Sequence, residues 1–200
     1  SDGTKLRTVH KIGSTTTTTD YCGNVIYENG TQKLLLTEEG YINLAGTQQY
    51  HYYLKDHQGN NRVVINRSGT MEETNHYYPF GGVFATAGNT QPYKYNGKEF
   101  DTKKGLNWYD YGARHYDTAL GRFMTNDRFA EKYYSMSPYQ YGANSPVVNI
   151  DVNGDSIRIC TETQSFGHTW ISVGEGSNMT VYSYGRYNGT NKGQIEALIL

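Results

Sequence analysis

Short β-prone runs alternate with polar turns along the first half of the chain. The runs are rich in Tyr, Val, Ile and Leu, and nearly every turn contains glycine with Asn, Asp or Glu. The clearest succession is the run Tyr50–Leu54, the turn Lys55–Asn60, the run Arg62–Ile65 and the turn Asn66–Gly69. Turns recur roughly every ten residues, a spacing typical of stacked repeats. The pattern therefore predicts successive antiparallel β-hairpins that must stack to bury a face.

The same pattern extends on both sides of this region. It begins more loosely at Asp20, and the Ser/Thr run Ser14–Thr19 before it is either a linker or an edge strand. A further strand is predicted near Glu73–Tyr78, and residues 83–91 are predicted to form an exposed loop.

Helical patterns are scarce. Arg128–Tyr134 could form two turns with Asp127 as N-cap, and Gln194–Leu200 could begin a helix. We therefore predict a mainly β fold of successive antiparallel hairpins, with a compact end-piece and at most one or two short helices.

Composition supports a folded β protein and excludes several partners. Tyrosine occurs 20 times and glycine 23 times in 200 residues, and this aromatic content is too high for a disordered chain. The net charge of −1 provides no basic or acidic field for nucleic acid or an anionic membrane. The longest apolar runs, such as Leu34–Leu36, are far too short to span a bilayer.

The ends of the chain and its two cysteines leave the cellular context open. The chain starts at Ser1 without a leader and stops in an apolar run at Leu200, so we expect a longer parent protein with any export signal upstream. Cys22 and Cys160 could form one bridge or remain two thiols, which leaves the redox compartment undecided.

Five local motifs occur in order between Tyr53 and Gly154. They are Tyr53–Asn60 (D-H-x-G-N), Tyr78–Gly81 (Y-x-P-F-G), Tyr95–Asp101 (F-x-G-[QK]-E-x-D), Gly105–Asp117 with Leu120–Phe123 (G-L-x-x-Y-x-A-R-x-Y-D and L-G-R-F), and Pro138–Val147 (Y-x-Y-x-x-N-x-P) ahead of Asp151–Gly154. Together they resemble the RHS repeat-associated core of bacterial polymorphic toxins and related insecticidal toxin components. The resemblance divides the chain into degenerate YD-repeat strands (1–49), the RHS core (50–155) and the start of a variable toxin-like region (156–200).

The resemblance implies a scaffold. In this family a long β-sheet spirals into a hollow shell, the core closes one end, and the shell encloses a C-terminal effector. The implied function is a module that encloses or presents an effector in a secreted or surface-delivered bacterial system. The implied partners are the rest of the shell, the effector, and a cognate immunity protein or the delivery machinery. No cofactor is implied.

A second implication of the resemblance is self-cleavage. Members that cleave themselves use two aspartates and an arginine, and the matching positions here are Arg114, Asp127 and Asp151. Two neighbouring carboxylates can share a proton and act as general acid and base toward water, while an arginine can stabilise an oxyanion. The structural alternative is an ion-paired plug without activity.

The sequence departs from the self-cleaving pattern around these aspartates. Arg128 and Val152 replace the prolines that follow the two aspartates, and Asp155 replaces the leucine after the final glycine. A cation beside Asp127 favours the ionised carboxylate, which is the wrong form for a proton donor. We therefore expect a non-enzymatic module, with aspartyl self-cleavage near Asp155 as the alternative.

Three weaker candidates remain. His168 as base and Cys160 as nucleophile could serve a toxin-like hydrolase, although no third orienting group is evident. His57, Asp56 and His115 match no metal-ligand spacing and are better explained as turn or core residues.

A carbohydrate-binding surface is a further candidate, carried by three tyrosine pairs, but alternation along a strand would direct half of these rings into the core. The pairs are Tyr52-Tyr53, Tyr77-Tyr78 and Tyr133-Tyr134.

Overall fold

The chain folds into two compact units, residues 1–112 and 113–200. A computed structural model describes residues 4–155, 157–159, 168–173, 180–185 and 196–199. Each unit is built from β-strands and turns, and the two are described separately below.

The first unit is dominated by a nine-stranded antiparallel sheet in which every strand pairs with its neighbours in the sequence. Chain order and sheet order are therefore identical, as expected for stacked hairpins. The strands are β1 (Arg7–Ile12), β2 (Thr15–Cys22), β3 (Val25–Glu28), β4 (Thr31–Leu36), β5 (Gly40–Asn43), β6 (Gln49–Lys55), β7 (Asn61–Asn66), β8 (Met71–Tyr77) and β9 (Val83–Ala87).

Tight turns between these strands need residues that accept a positive φ. Asn29 and Gly30 connect β3 to β4 with φ of 51° and 80°, the combination that a two-residue type I′ hairpin turn requires. Gly40 meets a different demand, because a Cβ there would lie 2.1 Å from the carbonyl oxygen of His51 on the paired strand β6. Only glycine allows β5 and β6 to approach this closely at that point.

One face of the sheet carries the core of the first unit. Ile26, Leu34, Tyr41 and Val64 are buried together, and partly buried side chains of Tyr21, Leu36 and Tyr53 pack against them. Strand β6 shows the underlying alternation, because His51 is buried while its neighbours Tyr50 and Tyr52 are exposed.

The remainder of the first unit is a short hairpin with two 3₁₀ turns. Strand β10 (Glu99–Asp101) pairs antiparallel with β11 (Trp108–Asp110), and Glu99 lies directly opposite Asp110. The 3₁₀ turns span Tyr95–Gly97 and Lys103–Gly105.

The described residues of the second unit form three small antiparallel groups of strands and two 3₁₀ turns. These are β12 (His115–Asp117) with β13 (Arg122–Phe123), β14 (Asn149–Asp151) with β15 (Ile157–Ile159), and β16 (His168–Val173), β17 (Thr180–Gly185) and β18 (Glu196–Ile199) in one three-stranded group, with 3₁₀ turns at Ala130–Lys132 and Gly142–Asn144. Tyr116, Phe123 and Tyr141 are fully buried as one aromatic cluster, with ring centroids 4.4 to 5.9 Å apart.

The predicted fold class is confirmed: the molecule is mainly β and antiparallel, and no α-helix occurs among the described residues. None of the helical turns described is long and apolar enough to cross a membrane. Ser14–Thr19 falls almost entirely within β2 and is neither a linker nor the edge strand, since β1 holds the edge.

Three local predictions were wrong. Val83–Ala87, predicted as loop, forms β9 because it pairs with β8. Only Ala130–Lys132 is helical in the predicted helix 128–134: the Asp127 side chain accepts the expected N-cap type of hydrogen bond from the Phe129 amide, but the backbone leaves the helical region at Tyr133, with φ −129° and ψ 56°. Glu196–Ile199, predicted to begin a helix, is a strand paired with β17.

Candidate functional site

Arg114 is the centre of a charged cluster in the second unit. It lies in a bend one residue before β12, the strand that carries the fully buried Tyr116. Its residue surface is only 5% exposed. A guanidinium in such a place requires compensating partners.

Two of those partners are the aspartates predicted from the sequence. The Nη2 atom of Arg114 lies 2.8 Å from Oδ2 of Asp127 and 3.5 Å from Oδ2 of Asp151. The structure therefore brings all three predicted residues together around one nitrogen atom. Asp151 is deeply buried and Asp127 is mostly buried.

The other nitrogens of Arg114 hold two distant chain segments. Nε donates a hydrogen bond to the carbonyl oxygen of Gly154, and Nη1 donates to that of Pro138 at 3.0 Å. The guanidinium carbon also lies 3.8 Å from the centroid of the Phe123 ring, a cation–π distance. Arg114 thus joins the aromatic cluster, the Pro138 segment and the final turn of the RHS-like motif set.

That final turn, from Asp151 to Gly154, is fixed by Asp151 itself. Asp151 ends β14, and its Oδ1 accepts a hydrogen bond of 2.6 Å from the Gly154 amide. The Ala113 amide donates to the carbonyl of Asn153 at 3.0 Å. One carboxylate oxygen of Asp151 therefore shapes the turn, and the other faces Arg114.

The structure adds a pair that the sequence analysis did not foresee. Arg128 and Asp155, two of the three residues that depart from the self-cleaving pattern, contact each other through Nη2 and Oδ2. The Asp155 side chain is only 2% exposed, whereas that of Arg128 is about half exposed. Opposite charges at two atypical positions were the available signal for this pair.

Burial and charge act against each other at Arg114. Burial lowers the pKa of its guanidinium, and Asp127, Asp151 and Asp155 oppose that shift. The group still remains protonated at any physiological pH, because arginine starts from so high a pKa. The cluster of three aspartates and two arginines therefore carries a net charge near −1 when all groups are ionised.

This geometry is better suited to holding the chain than to proton transfer. A shared proton requires two carboxylates that face each other. Here Asp127 and Asp151 each direct Oδ2 at the guanidinium of Arg114. The carbonyl of Gly154 is nevertheless polarised by Nε of Arg114, which is the one element of a hydrolytic site that is in place.

The other candidates from the sequence are a histidine, two cysteines and possible metal ligands. His168 is the first residue of β16, opposite Gly185, and Cys160 lies outside the described residues, so the hydrolase pair stays a prediction. Cys22 is an exposed free thiol. Within the described ranges, no group of His, Cys, Asp and Glu has a metal-binding arrangement.

Asp56 has a structural role in the D-H-x-G-N turn. Its carboxylate accepts hydrogen bonds from the amides of Gln58 and Asn60, from the Asn60 side chain and from Nε of Arg62, at 2.7 to 3.1 Å. Asn60 in turn accepts a hydrogen bond from the Asn96 amide at 2.8 Å, which links two of the sequence motifs.

The tyrosine pairs follow the predicted alternation only where they lie in strands. Tyr53 packs on the core while Tyr52 is exposed, and Tyr77 is buried while Tyr78, just after β8, is exposed. Tyr133 and Tyr134 lie outside a strand, and both are exposed.

Curated proteins match a little more than half of the chain, and no family model matches it. Over 119 residues the chain is 37% identical to salivary gland surface protein 1 of Aedes aegypti, a match that covers 58% of this chain and 3% of that protein. Over 110 residues it is 30% identical to the uncharacterized protein YibJ of Escherichia coli K12, covering 54% of this chain and 46% of YibJ. The chain therefore spans less than half the length of both relatives.

Solved structures match more of the chain. A crystal structure of TcdB2-TccC3-Cdc42 superposes with a TM-score of 0.64 at 21% identity and covers 76% of this chain and 8% of that one. A Photorhabdus luminescens Tc holotoxin pore with a TccC3 mutation gives a TM-score of 0.66 at 19% identity, covering 82% and 9%. The chain has an RHS-like β fold. In this RHS-like fold, the Arg114 cluster lies at the end of the residues that carry the motif set.

Proposed function

We propose that this chain is an RHS core module that acts as a scaffold and closure, and that it encloses or presents a C-terminal effector region. The observation that carries the proposal is the anchoring of Gly154 by Arg114. Gly154 is the second-last residue of the RHS-like core (50–155). The buried cluster therefore holds the chain at the boundary between this core and the region that begins at residue 156. The strictly sequential sheet of β1–β9 and its similarity to the TcdB2-TccC3 structures support a shell-type scaffold.

The partners follow from the same proposal. Further strands of a parent shell and the effector itself would contact this module, with an immunity protein or delivery machinery acting on the assembled protein. The location would be secreted or surface-delivered. One of the similar structures is a Tc holotoxin pore of Photorhabdus luminescens, which supports the same direction.

Limited proteolysis of the full parent protein tests the scaffold function. We expect the region after residue 155 to resist protease in the wild type and to become cleavable in Arg114→Gln, with new cuts near Val152–Asp155. Arg67→Gln is the matched control, because Arg67 is exposed and lies in the turn between β7 and β8 of the first unit. Equal digestion of the C-terminal region in the parent and as an isolated fragment would contradict enclosure.

Aspartyl self-cleavage is the second candidate, favoured by the polarised carbonyl of Gly154 beside two aspartates. In it, Arg114 would stabilise the oxyanion, and Asp127 with Asp151 would serve water as base and acid. Mass spectrometry of the expressed protein decides between the two. A break between Gly154 and Ser156 that disappears in Asp151→Asn would establish cleavage and overturn the non-enzymatic proposal.

A further inference from the structure

A second charged cluster, in the first unit, joins the start of the chain to the β10–β11 hairpin. The ammonium nitrogen of Lys5 lies 2.6 Å from Oε2 of Glu99 and 2.6 Å from Oδ2 of Asp110. Lys5 is 94 residues from Glu99 in the sequence, so this contact is purely tertiary. We refer to Lys5, Glu99 and Asp110 as the Lys5 triad.

The hairpin register explains why two carboxylates meet one amine. Glu99 and Asp110 are directly opposite each other in the β10–β11 pair, so their side chains share a face. Like charges in such a position repel each other and destabilise the sheet. Lys5 lies against both carboxylates and compensates them.

Each carboxylate is oriented by a further donor. The Tyr21 hydroxyl donates to Oε1 of Glu99 at 2.9 Å, which leaves Oε2 directed at Lys5. The Gly112 amide donates to Oδ1 of Asp110 at 2.7 Å, which leaves Oδ2 directed at Lys5. The amine, the carboxyl carbon, a neighbouring base and an N–H donor on the non-reacting oxygen are therefore all in place.

The Lys5 amine is partly covered by the Tyr21 ring. The Lys5 nitrogen lies 4.3 Å from the centroid of the Tyr21 ring. Burial and Glu99 raise the pKa of the Tyr21 phenol to about 12, so it stays a neutral donor. Between 14% and 27% of each triad side chain is exposed, which allows a released water molecule to leave.

We propose that Lys5 and Asp110 form an intramolecular isopeptide bond, with Glu99 as the proton-transferring group. The Lys5 ammonium passes a proton to the Asp110 carboxylate, and the neutral amine attacks the Asp110 carboxyl carbon. Glu99 accepts the second proton of the attacking nitrogen and delivers it to the departing hydroxyl of Asp110. One C–N bond forms, one C–O bond breaks, one water leaves, and no oxidant, reductant or cofactor is needed.

The proton on Lys5 is the main barrier to this reaction. Burial lowers the pKa of its ammonium, and Glu99 and Asp110 raise it, with the carboxylates prevailing. The first step avoids this barrier in part, because transfer of the proton to Asp110 neutralises both partners and leaves the net charge of the triad unchanged. The fixed proximity of the amine and the carboxyl carbon lowers the activation barrier further.

Lys94 forms a buried ion pair with Glu73, which can be compared with the Lys5 triad. It is more deeply buried than Lys5 and contacts Oε1 of Glu73. Glu73, however, also accepts hydrogen bonds from Asn75, Thr90 and Gln91, and no second carboxylate pairs with Lys94 in the described part of the chain. Without a second carboxylate as proton carrier, we expect Lys94 to remain an amine.

Intact-mass measurement on the denatured chain tests the proposal. We expect a mass lower by one water than the sequence mass, and tandem spectra that join the peptide containing Lys5 to the one containing Asp110. Lys5→Arg and Glu99→Gln should restore the full mass, while Lys94→Arg should still lose water. Asp110→Ala removes the carboxyl carbon that the amine attacks and should also restore the full mass.

Two results would overturn the proposal: a folded wild-type chain at its full sequence mass after prolonged incubation, or a loss of water that persists in Lys5→Arg. Circular dichroism confirms that each variant keeps its β structure before its mass is interpreted. The outcome is independent of the scaffold function, because the triad lies in the first unit and no step involves the Arg114 cluster.

Discussion

Replacing Arg114 by methionine removes the cation that contacts both Asp127 and Asp151. Methionine keeps most of the side-chain length and can still pack on the Phe123 ring, so the change isolates the charge and its hydrogen bonds. The substitution leaves one deeply buried carboxylate, Asp151, and one mostly buried carboxylate, Asp127, without their shared partner. It also removes the donors to Gly154 and Pro138.

The expected loss of unfolding free energy is large. Removing one partner of a buried ion pair costs about 3–5 kcal/mol, because the remaining charge stays buried without compensation. The two lost hydrogen bonds are each worth about 1 kcal/mol, and they belong to the same group, so the values do not simply add. We therefore expect a loss of about 4 kcal/mol in the second unit, a large share of the typical stability of a domain.

Hydrogen exchange followed by mass spectrometry is the suitable assay, because the two units need not unfold together. Peptides covering Arg114–Phe123 and Pro138–Asp155 should exchange much faster in the variant, while those of β1–β9 should be unchanged. Arg67→Met, an exposed arginine, is the control. A loss below about 1 kcal/mol would refute the claim that Arg114 compensates both carboxylates.

Three further changes test other parts of the structure. Gly40→Ala forces a Cβ to 2.1 Å from the His51 carbonyl, so we expect a loss of at least about 1–3 kcal/mol and faster exchange of β5 and β6 amides. Glu73→Gln leaves the buried Lys94 without its counter-charge and should cost about 3–5 kcal/mol in urea unfolding. Asp56 is partly buried, which raises its pKa, but hydrogen bonds from Asn60 and Arg62 prevail and lower it. Its folded pKa is thus below the unfolded one. Its contribution to the free energy of unfolding is therefore present above about pH 4 and is lost as the pH falls through the folded pKa. We expect Asp56→Asn to be destabilised less by acid than the wild type in thermal melts.

The sequence predicted the first unit well because its signals are local. Turn residues such as Asn29-Gly30 and the D-H-x-G-N run set strand ends within a few residues, and consecutive strands then pair with each other. Residues 196–199 were misassigned because so short a run has no clear period, and pairing with a neighbouring strand decides its structure.

The charged clusters were predictable only in part. The resemblance selected Arg114, Asp127 and Asp151, and the structure brings them together, but their chemical role is a proposal. The Arg128–Asp155 pair and the Lys5 triad were missed, because their partners are far apart in the sequence. The opposite charges at two atypical positions hinted at the Arg128–Asp155 pair but did not show that the two side chains meet. Such contacts depend on how strands are placed in three dimensions, which periodicity does not encode.

The identity of chain order and sheet order in β1–β9 has a consequence for biosynthesis. Each strand needs only the strand made just before it, so the sheet can grow one hairpin at a time as the chain leaves the ribosome. Until the next strand arrives, the newest one presents a row of unpaired backbone groups that could capture a strand from another nascent chain. Slow synthesis through this region would prolong that exposure, so translation speed is expected to influence how much of the protein reaches its native state.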